Sequence, residues 1–155
     1  MKQQIFLSAI LAVLLLLPAT ARAQLTIVGN YTAVGATLNI ATHVKNGRKK
    51  ALIGISNKVA IAFSKDQWKT FVAIWQNAMK MQSYSFRIID SYKEAGTAYQ
   101  SLLTVAAGPG VQFTINDPEE TSKGKQGTYS FILSASDYAR FDADIAKVTA
   151  YLDSN

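Results

Sequence analysis

Two stretches of this chain, seventy positions apart, make the same move. IAFSKDQW (Ile61–Trp68) and FILSASDY (Phe131–Tyr138) each run from a short apolar segment into a serine, and an aromatic side chain follows four residues later. The apolar segment suits a strand with a buried face. The serine hydroxyl can accept from the open N–H groups of a first helical turn, and Gln67, three residues after Ser64, can reach back to complete a capping box. At the fixed offset, Ser64 aligns with Ser134, Gln67 with Asp137, Trp68 with Tyr138 and Phe71 with Phe141. Each junction therefore launches a helix with an apolar face, and two such units can cover one another in one compact domain.

The start of the chain reads differently. Lys2 precedes an apolar run from Ile5 to Leu17, Pro18 breaks the run, and Ala21-Arg22-Ala23 has the small-x-small pattern of a cleavage site. This predicts a signal peptide over residues 1–23, cleaved after Ala23, and a periplasmic or secreted mature chain. The run falls short of the roughly 20 apolar residues that a membrane span needs. Cysteine is absent, which excludes a lipid-anchored cysteine, a thiol nucleophile and a cysteine metal site, and leaves stability to an apolar core. Residues 24–155 suit one domain. Without Lys2 and Arg22, 14 basic residues face 10 acidic ones, a mild excess.

From Leu25 onward, strand-like runs alternate with turn signals. Strands are expected at Leu25–Tyr31, Thr37–Val44, Ala51–Ser56 and Val59–Ser64. Asn46-Gly47 marks a hairpin, because both residues tolerate positive φ. A helix follows, with Trp68, Phe71, Val72, Trp75, Ala78 and Met79 on one apolar face, ending near Met81–Ser83. The second half restarts with strands at Tyr84–Tyr92, Gln100–Ala107, Val111–Asn116 and Thr128–Ser134. Turns are expected at Glu94-Ala95-Gly96 and Gly108-Pro109-Gly110, and a polar loop at Asp117–Gly127. The last helix sets Tyr138, Phe141, Ile145, Val148 and Leu152 on one face. The expected fold is α+β: two ββββα repeats, about 24–83 and 84–155, with antiparallel sheets and packed helices.

GRKKALIGIS (Gly47–Ser56) is a basic, glycine-containing turn leading into an apolar strand, and IAFSKDQWKTF is a strand that ends in a cap, Gln-Trp and a helix. With the repeated ββββα order, these stretches resemble the superfamily of Whirly proteins, PUR-alpha repeats and the positive-cofactor-four coactivators. The resemblance covers about half the mature chain in its motifs and the remainder in element order. It implies curved sheets that hold single-stranded nucleic acid.

Lys45, Arg48, Lys49 and Lys50 cluster at one hairpin beside His43, Lys58 lies in the next turn, and Lys123 and Lys125 lie in the long loop. Single-strand binders pair basic rims with aromatic platforms, and Tyr31, Tyr84, Phe86 and Phe113 are the candidate platforms. The structural alternative is that these cations keep a hairpin soluble and block edge pairing, with the rings in the core. His43 is the only histidine; a general base needs a partner that no nearby serine or carboxylate supplies, so it reads as a surface residue. Asp117-Pro118-Glu119-Glu120 lacks the spacing of a calcium loop and reads as a solvated turn. Asp142 and Asp144 read as dipole partners near a helix start. Gly108-Pro109-Gly110 lacks the Lys-Ser/Thr of a phosphate loop. Asn30-Tyr31-Thr32 matches a glycosylation sequon and is taken as chance. Trp68, Phe71 and Trp75 read as core.

These features point to an exported, non-enzymatic binding protein without a cofactor. Its ligand is expected to be single-stranded nucleic acid or another polyanion, held by Lys45, Arg48, Lys49, Lys50 and Lys58. The alternative is an envelope accessory module that captures a protein partner, or a homodimer, through apolar surface.

Overall fold

A computed structural model describes residues 24–81, 83–93 and 101–154. The leader expected at 1–23 and the turn expected at Glu94–Gly96 lie outside the described residues. The fold is α+β. Strands β1 (Thr26–Ala33), β2 (Ala36–Lys45), β3 (Arg48–Ile55) and β4 (Val59–Phe63) form one antiparallel meander, and helix α1 (Lys65–Lys80) follows. Strands β5 (Arg87–Lys93), β6 (Leu102–Ala107), β7 (Val111–Asn116) and β8 (Thr128–Leu133) form a second meander, followed by a short 3-10 turn (Ala135–Asp137) and a long helix (Tyr138–Asp153).

The two meanders match rung for rung. Leu38 pairs with Tyr31 and Ile55, as Leu103 pairs with Tyr92 and Ile115. Ile53 pairs with Ile40 and Ile61, as Phe113 pairs with Val105 and Phe131. Even the irregularity repeats: the register shifts between Ile27 and Gly29 in β1, and between Ile88 and Asp90 in β5. Such a bulge inserts one extra residue and bends the strand.

The sequence places most elements, with three departures. β3 begins at Arg48 rather than Ala51, because the two-residue Asn46-Gly47 turn, with φ of 53° and 70°, pairs Lys45 directly with Arg48. β5 begins at Arg87, so Tyr84 and Phe86 lie before the strand. The expected polar loop contains a five-residue helix α2 (Pro118–Ser122). Asp117 caps it by accepting from the N–H groups of Glu119 and Glu120 at 3.0 and 3.4 Å, and Pro118 sits in the first turn, where no donor is needed. The long last helix is therefore α3.

Each helix packs on the other unit's sheet. α1 lies against β5 and β6 as well as β3 and β4, and α3 lies against β1, β2 and β3. One apolar cluster consequently includes residues of both units: Trp68, Phe71, Ile74, Trp75 and Ala78 from α1, Phe141, Ile145, Val148 and Leu152 from α3, and the inward residues of both sheets. Burying each large apolar side chain contributes roughly 1.5–3 kcal/mol, so neither helix can be withdrawn without exposing both sheets. Two indoles also tie the helices together. Trp68 Nε1 donates to Thr149 Oγ1 at 3.0 Å, and Trp75 Nε1 donates to Asp142 Oδ1 at 3.2 Å. Asp142 thus serves a cross-unit bond; it lies beyond the first turn of its helix, so the expected role as dipole partner does not hold. No helix among the described residues is long and apolar enough to cross a membrane.

Candidate functional site

The β2–β3 hairpin is the place where the repeat breaks. Thr42 pairs with Ala51, as Ala107 pairs with Val111 in the second unit. The second unit turns there at once, through Gly108-Pro109-Gly110. The first unit continues for three more rungs: His43 with Lys50, Val44 with Lys49, and Lys45 with Arg48. Every basic residue of the expected cluster except Lys58 lies on these extra rungs.

Strand alternation then divides the cluster. Paired residues share a face and successive residues alternate. His43, Lys45, Arg48 and Lys50 therefore share the outward face, where Lys45, Asn46, Arg48 and Lys50 surround a shallow hollow of about 450 Å³. Among the described residues none of these three cations meets a carboxylate, whereas Lys65, Lys69, Lys123, Lys125 and Lys147 each do. Asn46, which the sequence marks only as a turn residue, lines the hollow and adds a neutral donor.

Lys49 points the other way. Its ammonium donates to the Ser154 carbonyl and to Ser154 Oγ, both at 2.6 Å, and lies 5.1 Å from the centre of the Tyr151 ring. It fastens the end of α3 to the hairpin and does not join the outward group. Lys58 is also separate. It lies in the turn after Ile55, at the far end of β3, roughly 25 Å from Arg48 by the rise of a strand. Lys123 and Lys125 pair with Glu119 and Glu120 at 2.7–3.6 Å.

The aromatic platforms are corrected by burial. Tyr31 is 1% exposed and Phe113 is 0% exposed, so neither offers a face to a base. Their strand parity points them at the helices: Tyr31 meets Phe141 edge-on at 5.4 Å, and Phe113 stacks on Trp75 at 6.2 Å. The outward positions beside the cations on β3 and β4 are Leu52, Gly54, Ala60 and Ala62, none of them a ring. Tyr84 and Phe86 are exposed but belong elsewhere. Tyr84 lines a half-open cleft of about 700 Å³ with Met79, Met81, Ser83, Gly108, Pro109, Ala135 and Tyr138, and Phe86 sits against Gly108. The sequence showed the Gly-Pro-Gly turn without showing this cleft, because its walls come from three separate segments.

His43, expected at the surface, is half-buried instead, and among the described residues its buried Nδ1 has no hydrogen-bond partner. Burial, then the charges of Lys45 and Lys50, hold its pKa below the ordinary 6.5. Its charged neighbours are thus lysines, not the carboxylate that would orient a general base. Among the described residues no group of three histidine, aspartate or glutamate side chains is gathered to hold a metal ion.

A second polar constellation lies in the interior. Asp144, 4% exposed, accepts from the Tyr31 hydroxyl at 2.6 Å and from Lys147 Nζ at 2.8 Å. Arg140 lies over the Tyr31 ring at 4.1 Å and donates to the Asn30 carbonyl at 2.7 Å. Burial, then the bond to Asp144, hold the Tyr31 phenol well above its usual range. This arrangement joins β1 to α3; both oxygens of the carboxylate are engaged, which fits a structural tie. The sequence suggests Asp144 only as a dipole partner near the helix start; it lies beyond the first turn and is buried. Its burial follows from the crossed helix packing, which no local pattern reveals.

No protein-family model, characterised protein or solved structure matches this chain.

Proposed function

We propose that this chain is an exported, non-enzymatic binding protein that captures a polyanion on the outward face of its β2–β3 hairpin. The observation that carries the reading is the three-rung extension. Its residues lie outside the apolar cluster, and it gathers Lys45, Arg48 and Lys50 on one face around a hollow, with no carboxylate partner among the described residues. Cations placed so, in register at strand spacing, suit a ligand with regularly spaced negative groups, such as phosphodiesters. The resemblance to single-strand binders favours single-stranded nucleic acid among such ligands. The buried Tyr31 and Phe113 make its contacts chiefly ionic, to the backbone rather than to stacked bases. The leader pattern at residues 1–23 supports action in the periplasm or outside the cell.

A salt series tests this. Binding of a labelled oligo-dT should weaken linearly in log–log form, because each neutralised phosphate releases counterion. Replacing Lys45, Arg48 and Lys50 together with alanine should make the slope shallower by about 2, at roughly 0.7 per contact on a single strand. Lys58→Ala should leave the slope unchanged, given its place at the far end of β3. An unchanged slope in the triple variant removes this face from the site.

The cleft beside Tyr84 supports a second reading, an envelope module that captures a protein partner or a second copy of itself. The observation in its favour is the exposed apolar surface at the cleft: Met81 and Tyr84 line it and are exposed, and Phe86, against Gly108, is exposed beside it. Light scattering at two salt concentrations separates the readings, since apolar association persists at high salt and polyanion capture does not.

A further inference from the structure

We propose that His43 makes anion capture by the hairpin face proton-coupled, so that the imidazole takes up a proton as a phosphate settles among Lys45, Arg48 and Lys50. The inference rests on the reading that this face is the binding site.

The geometry assigns His43 to the group. It lies directly across the ladder from Lys50 and two residues from Lys45 on the same face. The fields acting on it are simple. Lys45 shares its strand, and Lys50 and Arg48 lie on β3. β1, the other neighbour of β2, carries no charged residue. The charges of α3, Arg140, Asp142, Asp144, Lys147 and Asp153, belong to the opposite face of the sheet, the side to which Lys49 turns. Among the described residues the buried Nδ1 has no hydrogen-bond partner, so proton uptake breaks no hydrogen bond at that atom.

In the empty site, burial and two ammonium groups disfavour the imidazolium, which keeps His43 neutral near pH 7. A docked phosphodiester reverses the local field and favours the charged form. By linkage, the state that binds more protons gains as pH falls. Affinity is flat above the pKa of the occupied site, rises as pH falls between the occupied and empty values, and is flat again below the empty value, which lies under 6.5. Each unit by which the anion lifts the pKa tightens binding about tenfold across that window.

The test is calorimetric titration of the purified protein with oligo-dT at low salt, between about pH 5 and 8, the range in which an ordinary histidine changes charge. Its phosphodiesters and thymines do not titrate there. Repeating each titration in buffers of different ionisation enthalpy counts the protons taken up. Wild-type protein should take up part of a proton on binding and bind more tightly as pH falls. His43→Gln, which cannot change charge, should take up none and bind with a pH-independent affinity. Equal uptake in both proteins overturns the inference, as does an absence of uptake in wild type with salt-dependent binding intact. No binding at low salt at any pH overturns the site itself, and the inference with it.

Discussion

The two ββββα units are alike where they meet and unlike where they face outward. They share paired rungs, a bulge in the first strand and a tyrosine three residues after it, Tyr31 in one and Tyr92 in the other. Beyond the last shared rung the first unit extends its central hairpin by three rungs and the second turns immediately. At the corresponding end of each core the consequences are opposite. In the first unit Lys49 reaches from the extension to Ser154 and Tyr151, and Lys65 pairs with Asp153 at 2.8 Å. At the second unit's hairpin the cleft is lined by Met81 and Tyr84, which lie after α1 at the positions seventy residues earlier than Tyr151 and Ser154. Shared apolar rungs carry the fold; the difference in hairpin length leaves one end charged and filled, the other apolar and open.

The comparison extends into the core through Asp144. The position seventy residues earlier is Ile74, so where α3 carries a buried carboxylate bonded to Tyr31, α1 carries a buried alkyl group. Gly29 makes room for that carboxylate, and its counterpart after the second bulge is Asp90, an exposed residue. Gly29→Ala should therefore have the largest effect of any single-methyl change in the pair. A Cβ there would overlap the Asp144 carboxylate and crowd Ile40, and overpacking of this kind costs about 2–3 kcal/mol. Asp90→Ala should shift the melting temperature little, as is usual for an exposed site. Equal shifts in the two variants would mean that the units are not inequivalent at this rung.

Tyr31→Phe sharpens the same contrast with a smaller change. It removes the hydroxyl and leaves Asp144 with Lys147 as its remaining partner. The loss of a buried hydrogen bond to a carboxylate should cost about 1–2 kcal/mol in denaturant unfolding, with an unchanged m-value. Replacing both partners, as Tyr31→Phe with Asp144→Ala, should cost less than the sum of the single changes, because the two groups share one bond. Strict additivity would show that the bond contributes nothing beyond packing.

How much of this was legible in the sequence follows from the range of each interaction. Period-two and period-3.6 patterns are local, so both sheets, both long helices and the Asn46-Gly47 turn could be read directly. The same period-two rule would have separated Lys49 from Arg48 and Lys50, had β3 been read from Arg48; beginning it at Ala51 treated three strand residues as a tip. Tyr31 and Phe113 read as platforms in the sequence because an alternating strand does not say which face is covered. That depends on where the helices cross, and each helix covers the other unit's sheet. The burial of Asp144 and the walls of the cleft are set by the same crossing. They join residues up to 113 positions apart, beyond the reach of any local pattern.

The smallest predicted difference returns to the junctions where the repeat is most visible. At the first, Ser64 Oγ accepts from the Gln67 N–H at 3.4 Å, and Gln67 Oε1 accepts from the Ser64 N–H at 2.8 Å, a reciprocal capping box. At the second, Ser134 leads into a 3-10 turn. Its hydroxyl meets Ser136 Oγ at 2.6 Å and Asp137 Oδ2 at 3.3 Å, and caps no backbone donor. The two serines thus align in sequence and differ in work. Ser64→Ala should cost about 1 kcal/mol, the ordinary loss at an N-cap, whereas Ser134→Ala should cost less than about 0.5 kcal/mol, as at an exposed site with no cap. Hydrogen exchange in the first turn of each helix measures the same contrast locally, since losing a cap frays only the turn it holds. Faster exchange at Gln67 and Trp68 in the first variant, with no change at Tyr138 in the second, would place the difference in the caps. Equal fraying would mean that the 3-10 turn anchors its helix as firmly as the capping box does.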